Sequence, residues 1–173
     1  MNTIAVLVLA AGKSSRMKGI KQLLKVNNKT LLDITLETAK KVVPESVFCI
    51  LGANADKIKK EILTKAVQFI YNKNFESGLS SSIVAGIQHF KKENLNFDGV
   101  LILLADQPEV DFKYLNLLIT NFKENTKENS INNNPYGEAG LTYLENAGYL
   151  IDNQTVEGTA YKFGIKYNHR YLN

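Results

Sequence analysis

Short apolar runs alternate with amphipathic segments along most of the chain, and this alternation constrains the fold more than any other feature. The runs are predicted strands, and they cover residues 4–8, 47–51, 67–71 and 97–104. The segments between them place apolar residues every three or four positions, which predicts helices. We therefore predict an α/β fold, a three-layer α/β/α sandwich with a mostly parallel, Rossmann-like sheet and right-handed crossovers.

Capping residues and helix breakers predict where the helices begin and end. Thr30, with Asp33 three residues later, predicts the start of the first helix, and Pro44 its end. Asp111 predicts the start of the fourth helix, and one of the serines in residues 80–82 is expected to cap the third, over residues 79–91. The second helix is predicted over residues 55–66. The expected inward-facing residues are Leu32, Leu36, Ala39 and Val43, then Ile58, Ile62 and Leu63, then Leu79, Ile83, Ile87 and Phe90, and finally Phe112, Leu115, Leu118, Ile119 and Phe122.

The chain of 173 residues is long enough for one domain with a sizeable core, so we predict a single domain over residues 1–173. Residues 123–173 differ from the rest, since a polar stretch around residues 120–134 is followed only by short extended candidates at 141–144 and 161–165. We treat residues 123–173 as a divergent C-terminal part.

Composition excludes several classes of protein. The net charge is +4, but the lysines are spread along the chain, so we predict no nucleic-acid partner; this charge also suits a small phosphorylated substrate. No apolar run approaches the length of a membrane span, and no signal peptide is recognised. The single cysteine, Cys49, lies in an apolar run and is predicted to be a core residue. We therefore expect a cytoplasmic protein with no membrane contact. The oligomeric state is not predicted.

Residues 9–24 change character abruptly after the first strand. The small residues Ala10 and Ala11 lead to Gly12, whose backbone can approach a ligand closely, and cations follow, among them Lys13, Arg16 and Lys21. Backbone N–H groups at such a turn, with cations beside them, suit a polyphosphate. The segment is not a P-loop, because that motif needs a glycine where Leu7 stands, and it lacks the further glycines of a dinucleotide fingerprint.

The same segment resembles the signature of a known family. It reads Leu9-Ala10-Ala11-Gly12-x-Ser14-x-Arg16-Met17-x-x-x-Lys21-x-Leu23-Leu24. This pattern closely resembles the MocA/MobA-like nucleotidyltransferases, and within them the molybdenum cofactor cytidylyltransferases. Three shorter features agree with the resemblance: Gly52-Ala53, the segment Asn74-Phe75-x-x-Gly78-Leu79-x-x-Ser82-Ile83-x-x-Gly86, and Ala105-Asp106-Gln107-Pro108.

The resemblance implies a fold of the nucleotide-diphospho-sugar transferase type, with residues 1–122 as its nucleotide-binding core. It implies a Mg²⁺-dependent nucleotidyltransferase that moves a nucleoside monophosphate from an NTP, expected to be CTP, to a phosphorylated acceptor, expected to be molybdopterin, and releases pyrophosphate. Arg16, Lys21 and Asp106 are the implied catalytic residues, with Asp106 as the Mg²⁺ ligand. The implied nucleotide-binding residues are Leu9, Ala10, Ala11, Gly12, Lys13, Ser14, Arg16, Lys21, Gly52, Ala53, Asn74, Gly78, Leu79 and Ser82.

Several alternatives stay open. Relatives carry an acidic C-terminal motif that is missing here, so the acceptor half of the site is not defined by the sequence. A guanylyltransferase, a sugar-phosphate nucleotidyltransferase, or a nucleotide-binding protein of the same fold without transfer activity also fits. Taken singly, Arg16 and Lys21 are explained as surface cations and Asp106 as a turn residue before Pro108.

Overall fold

A five-stranded sheet lies at the centre of the protein in a computed structural model that describes residues 3–14, 19–125 and 149–152. The elements in chain order are β1 (Ile4–Leu9), β2 (Lys25–Val26), β3 (Lys29–Thr30), α1 (Leu31–Val42), β4 (Val47–Leu51), α2 (Ala55–Glu61), β5 (Gln68–Tyr71), α3 (Leu79–Lys92), β6 (Gly99–Leu104), α4 (Phe112–Asn125) and β7 (Tyr149–Asp152).

The sheet is mostly parallel, as predicted. Its strand order is β5-β4-β1-β6-β7; the first four strands run parallel, and β7 lies antiparallel on β6. The chain builds outward from β1 to β4 and β5, then returns to place β6 on the other side of β1. Strand order therefore reverses between β1 and β6, and ligands bind α/β sheets at the carboxyl ends of the strands beside such a reversal.

Two apolar layers cover the sheet. One cluster joins β1 residues such as Val6 and Val8 to α1, α2 and α4, and the other joins Leu7 to residues of α3 such as Phe90. Side chains of a strand alternate between its faces, so β1 supplies both layers. Helix α3 lies very close to the sheet at Gly86, where an added Cβ would lie 2.7 Å from both Cδ atoms of Leu7. The predicted three-layer sandwich is confirmed.

Cys49 is fully buried in β4, which confirms its prediction as a core residue. Burial raises the pKa of its thiol well above the usual value, because a thiolate would lose its hydration there.

The helices begin largely where capping chemistry predicts. The Thr30 hydroxyl accepts the N–H of Asp33 at 3.0 Å, and an Asp111 carboxylate oxygen accepts the N–H of Tyr114 at 2.8 Å. The prediction of a serine cap for α3 is wrong. Its N-cap is Gly78, and Ser81 donates its hydroxyl back to the Gly78 carbonyl at 2.7 Å.

The second helix is shorter than predicted, because it ends at Glu61 rather than at residue 66. A carboxylate oxygen of Asp33 accepts the N–H groups of Leu63 and Thr64 at 3.0 and 2.9 Å, so this backbone bonds to α1 instead of continuing the helix. Ile58 and Ile62 are buried as expected, but Leu63 is 74% exposed, and its predicted inward position is wrong.

The prediction of Phe112 as a core residue is also wrong, since its side chain is 44% exposed. It is the first residue of α4, and the buried stripe of that helix begins one turn later with Leu115 and continues at Ile119. The spacing of apolar residues predicts which face of a helix is buried, but it does not predict at which residue the burial of that face begins.

The C-terminal part contributes β7, a strand that the sequence did not predict. It pairs with β6 in the register Gly99↔Asp152 to Ile102↔Tyr149. The extended segments predicted at 141–144 and 161–165 lie outside the described residues. Within the described ranges, no helix has the length and apolar character needed to cross a bilayer.

Candidate functional site

The crevice beside the β1/β6 reversal is formed by the segments that follow these two strands. Ala105 donates its N–H to the Leu9 carbonyl at 3.1 Å, and Ala10 donates to the Ile50 carbonyl of β4 at 2.9 Å. Leu9, Ala10 and Ala11 are buried, whereas the chain becomes exposed at Gly12. We call residues 10–14 the β1 loop.

The β1 loop presents backbone donors. Within the described part of the chain, the N–H groups of Gly12, Lys13 and Ser14 have no hydrogen-bond acceptor. An added Cβ at Gly12 would meet no atom within 4 Å, so the backbone is open to an approaching ligand. Successive N–H groups at an exposed turn can bind phosphate oxygens.

Gln22 holds the β1 loop in place, and the sequence analysis did not single it out. Its side chain is buried, and Nε2 donates to the carbonyls of Ala10 and Gly12, both at 3.0 Å. Its Oε1 accepts the hydroxyl of Ser14 at 3.2 Å. The available signal was a polar residue directly before the apolar pair Leu23-Leu24.

Lys21 and Asp106 meet in the crevice, where Nζ lies 2.6 Å from an Asp106 carboxylate oxygen. Their side chains are 43% and 33% exposed, so water still reaches the pair. A partly exposed ion pair contributes little to stability, on the order of 1 kcal/mol or less. Either partner is therefore able to exchange the other for a charged ligand.

Asp106 is the described carboxylate placed for a metal ion in this crevice. The described ranges contain no group of three or more His, Cys, Asp or Glu side chains arranged around one point. Mg²⁺ in nucleotide sites commonly takes one or two carboxylates, substrate phosphates and water. A single carboxylate beside a phosphate-binding loop fits that mode of binding.

Gly52 and Ala53 lie next to the β1 loop. Ala53 donates its N–H to the Ala11 carbonyl at 3.1 Å. A Cβ at Gly52 would lie 2.5 Å from Cβ of Phe75 and 2.8 Å from the Ala11 oxygen, so only glycine fits there. This packing brings the chain after β4 and the chain after β5 together at one edge.

Residues 72–78, the β5 loop, are organised by a second residue that the sequence analysis passed over. The buried Asn72 accepts the N–H of Asn74 at 2.8 Å and donates to the hydroxyls of Ser81 and Ser82 at 2.9 and 3.1 Å. An Asn side chain that accepts the N–H two residues later forms an Asx turn. Because Asn is common in such turns, the residue type itself was the available signal. Gly78 has φ of +93°, a conformation that side chains rarely adopt.

Ser82 is placed differently from the other predicted nucleotide-binding residues. It is 3% exposed and its hydroxyl bonds to Asn72, so it supports the loop from beneath. Its predicted contact with ribose or base stays a prediction. Asn74 and Gly78 are exposed, and Leu79 packs partly against the α3 side of the core.

Lys13 connects the two loops. Its Nζ forms an ion pair with a carboxylate oxygen of Glu76 and lies 5.7 Å from the ring centroid of Phe75. Both charged side chains are more than half exposed. Lys13, predicted to bind nucleotide, is thus drawn toward the β5 loop.

The predicted site residues therefore gather at one sheet edge, with Ser82 buried behind it. Arg16 lies outside the described residues, and its role stays a prediction.

Several known proteins are similar in sequence to this chain. A bifunctional protein GlmU from Koribacter versatilis is 36% identical over 107 residues, which are 60% of this chain and 22% of that protein. The chain spans between about a fifth and about a third of the length of the curated relatives it matches.

Solved structures show the same fold. The crystal structure of Rv0371c from Mycobacterium tuberculosis gives a TM-score of 0.59 at 28% identity, over 69% of this chain and 60% of that chain. Rv0371c in complex with manganese gives 0.56 at 25% identity, over 69% and 59%. A Methanothermobacter nucleotidyl transferase gives 0.61 at 23% identity, over 69% and 58%, which shows the fold alone.

These matches confirm the predicted nucleotide-diphospho-sugar transferase fold and the predicted nucleotidyltransferase family. The family model described as MobA-like NTP transferase domain matches residues 6–138, more than half of the sequence. The chain belongs to the MobA-like NTP transferase domain family.

Proposed function

We propose that the protein transfers a nucleoside monophosphate from an NTP to a phosphorylated acceptor and releases pyrophosphate. The observation that carries this proposal is the Lys21–Asp106 pair in the β1/β6 crevice, beside a loop whose N–H groups have no acceptor among the described residues. A cation, a carboxylate and backbone donors together are what a triphosphate and its divalent cation need. Family membership supports the same reaction.

The residues would divide the work by their chemistry. The N–H groups of the β1 loop bind the triphosphate. The Lys21 ammonium breaks its contact with Asp106 and neutralises the charge on the α-phosphate and the leaving pyrophosphate. Arg16 bridges phosphate oxygens with its planar guanidinium. An oxygen of the acceptor phosphate attacks the α-phosphorus while the bond from that phosphorus to the bridging oxygen breaks. This transfer needs positioning and charge rather than a protein nucleophile.

Mg²⁺ is the proposed divalent cation, and Asp106 is its proposed protein ligand. When bound, the ion offsets the negative charge of the phosphates. The manganese complex of Rv0371c supports a divalent cation in a similar protein. One Asp106 oxygen, Oδ2, contacts Lys21 in this structure, and among the described residues the other oxygen has no partner and is available to the ion.

We propose CTP as the nucleotide and molybdopterin as the acceptor. Ala11 supports CTP, because the related guanylyltransferases usually have glycine at that position, as the resemblance implies. A guanylyltransferase, a sugar-phosphate nucleotidyltransferase and a binder without transfer activity are the competing outcomes of the test below. We also propose one domain over residues 1–173, with residues 1–122 as its nucleotide-binding core, in the cytoplasm.

The test measures pyrophosphate release with each of the four NTPs and Mg²⁺, using molybdopterin and a panel of sugar phosphates as acceptors. Release with CTP and molybdopterin is expected, and release with another pair would correct the substrates while keeping the reaction. Nucleotide binding without release across the panel would contradict transfer activity. Asp106→Asn should lower release about a hundredfold or more, whereas Asp111→Asn, which keeps the cap of α4, should leave it unchanged.

A further inference from the structure

We propose that Gln22 is a positioning residue that sets the backbone shape of the β1 loop and thereby the affinity of the protein for the triphosphate group. This inference rests on the proposed function, because it concerns the phosphate half of the same site. Gln22 would touch neither the nucleotide nor the reacting atoms, and it would act through Ala10, Gly12 and Ser14.

The Gln22 carboxamide has one orientation that suits its neighbours. Nε2 faces two carbonyl oxygens, from Ala10 and Gly12, and Oε1 faces a hydroxyl, from Ser14. Turning the amide over would set an oxygen against two carbonyl oxygens. The three hydrogen bonds therefore fix the orientation of the Gln22 carboxamide. The carboxamide in turn fixes the direction of the Ala10 and Gly12 carbonyls.

Fixing these carbonyls also fixes two donors. In a trans peptide the C=O of one residue and the N–H of the next point in opposite directions. No peptide bond of the described chain is cis. Because Gln22 holds the carbonyls of Ala10 and Gly12, the N–H groups of Ala11 and Lys13 point away from Gln22. The Lys13 N–H is one of the donors proposed to bind phosphate, so Gln22 sets its direction from the opposite side of the loop.

Ser14 supplies a second, independent observation. Its φ is +55°, in the left-handed region that non-glycine residues seldom occupy. Its hydroxyl donates to Gln22 and accepts the N–H of Lys21 at 3.0 Å. Such a conformation persists where its surroundings determine it, and it is common at ligand sites. Gln22 and Ser14 therefore also link the loop to the backbone of Lys21.

The test compares three variants with wild type. Gln22→Met keeps most of the volume but removes all three hydrogen bonds, and Gln22→Glu puts an oxygen where Nε2 faces two carbonyls. Thr35→Val is the matched control, since Thr35 is also buried and donates one hydrogen bond to the Leu31 carbonyl, within α1. The probes are inorganic tripolyphosphate, which does not depend on the base, together with CTP and CMP.

Gln22→Met should weaken tripolyphosphate and CTP binding about tenfold or more, with a smaller effect on CMP, because a tenfold change corresponds to roughly one lost hydrogen bond. Gln22→Glu should weaken binding further at neutral pH. Its binding should recover as the pH is lowered, because a protonated carboxyl can again donate to a carbonyl. A residue that only stabilised the fold would show this pH dependence in the unfolding transition but not in the affinity measured per folded molecule. Thr35→Val should bind like wild type.

Backbone amide shifts measured by NMR separate this inference from the proposed function. In Gln22→Met the signals of residues 11–14 should move, while in Thr35→Val they should not. Unchanged loop signals, or wild-type affinity for tripolyphosphate in Gln22→Met, would overturn the inference. If wild type binds no NTP at all, the proposed function fails, and the amide shifts alone decide whether Gln22 shapes the loop. If Gln22→Met does not fold, Ser14→Ala serves as the second variant, because it removes one partner of the same network.

Discussion

Two buried polar side chains, Gln22 and Asp33, each connect distant parts of the chain, but they serve different regions. Gln22 holds the exposed β1 loop at the carboxyl edge of the sheet. Asp33 joins the start of α1 to the end of α2 through Thr30, Leu63 and Thr64, and we call this contact the α1–α2 junction. Similar hydrogen-bond chemistry thus shapes a loop in one place and joins two helices in the other.

The difference between the regions lies in what surrounds them. The β1 loop has N–H groups without acceptors in the described chain and an ion pair open to water, so it has groups available for a ligand. In the α1–α2 junction, one Asp33 oxygen accepts three hydrogen bonds and the other accepts one. Substitutions should therefore separate activity from stability in these two regions.

The largest effect is expected from Asp106→Asn. Pyrophosphate release should fall about a hundredfold or more, since removal of one electrostatic group at the reacting centre commonly has that effect. The unfolding free energy should change by less than about 1 kcal/mol, because the Lys21–Asp106 pair is partly exposed. Turnover assays and thermal unfolding of the same preparation test both parts. A large loss of stability would contradict the separation of the two regions.

Asp33→Ala should have the opposite effect. It removes the acceptor of four hydrogen bonds in the junction and should lower the unfolding free energy by about 2–4 kcal/mol. Urea unfolding followed by circular dichroism measures this loss. Activity per folded molecule should stay near the wild-type value, and a strong loss of activity below the unfolding transition would show that the junction also shapes the site.

The junction should also make stability depend on pH. Burial of Asp33 favours its protonated form, but the hydrogen bonds from Thr64, Thr30 and Leu63 outweigh this and hold its pKa below the usual value. A lowered pKa in the folded state contributes stability above the unfolded-state pKa, near 3.8, and loses it as the pH falls toward the folded-state pKa. The stability difference between wild type and Asp33→Asn should therefore shrink below about pH 4. A constant difference down to pH 2.5 would contradict this assignment.

The smallest effect is expected at the contact between the β1 and β5 loops. Lys13→Ala removes an exposed ion pair with Glu76, which contributes on the order of 0.5 kcal/mol, so stability should hardly change. CTP affinity should fall only a few-fold if Lys13 also contacts phosphate. Glu76→Gln is the control, because it frees Lys13 without removing its charge, and it should leave binding equal or slightly stronger. A much larger loss in Glu76→Gln would mean that the ion pair itself positions the loops.

The sequence predicts the parts of this molecule that depend on local pattern. Strands β1, β4, β5 and β6 follow from apolar runs, and the starts of α1 and α4 follow from side-chain caps such as Thr30. The gathering of Gly12, Lys21 and Asp106 at one edge follows from the rule that parallel strands end together. Each of these features depends only on neighbouring residues or on the order of the elements.

The remaining features depend on contacts between residues far apart in sequence. Asp33 ends α2 by bonding to Thr64, thirty-one positions away, and nothing in the local pattern around Leu63 indicates it. Gln22 has an unremarkable sequence position, and its importance appears only when two carbonyls of the β1 loop lie against it. These contacts were not predicted because the residues that form them lie far apart in sequence, and not because the local helix or strand propensity is weak.

Strand β7 has a consequence for the two borders of the sheet. Strand β6 is a run of apolar residues, Gly99–Leu104, and a bare border of this kind can pair with any other extended chain. The antiparallel pairing with Tyr149–Asp152 occupies that border. At the opposite border, β5 has exposed residues at both ends, Gln68 and Tyr71, and the buried Ile70 between them. The terminal strands of the described sheet are thus β7 and β5, each only four residues long, and short edge strands limit pairing with other extended chains.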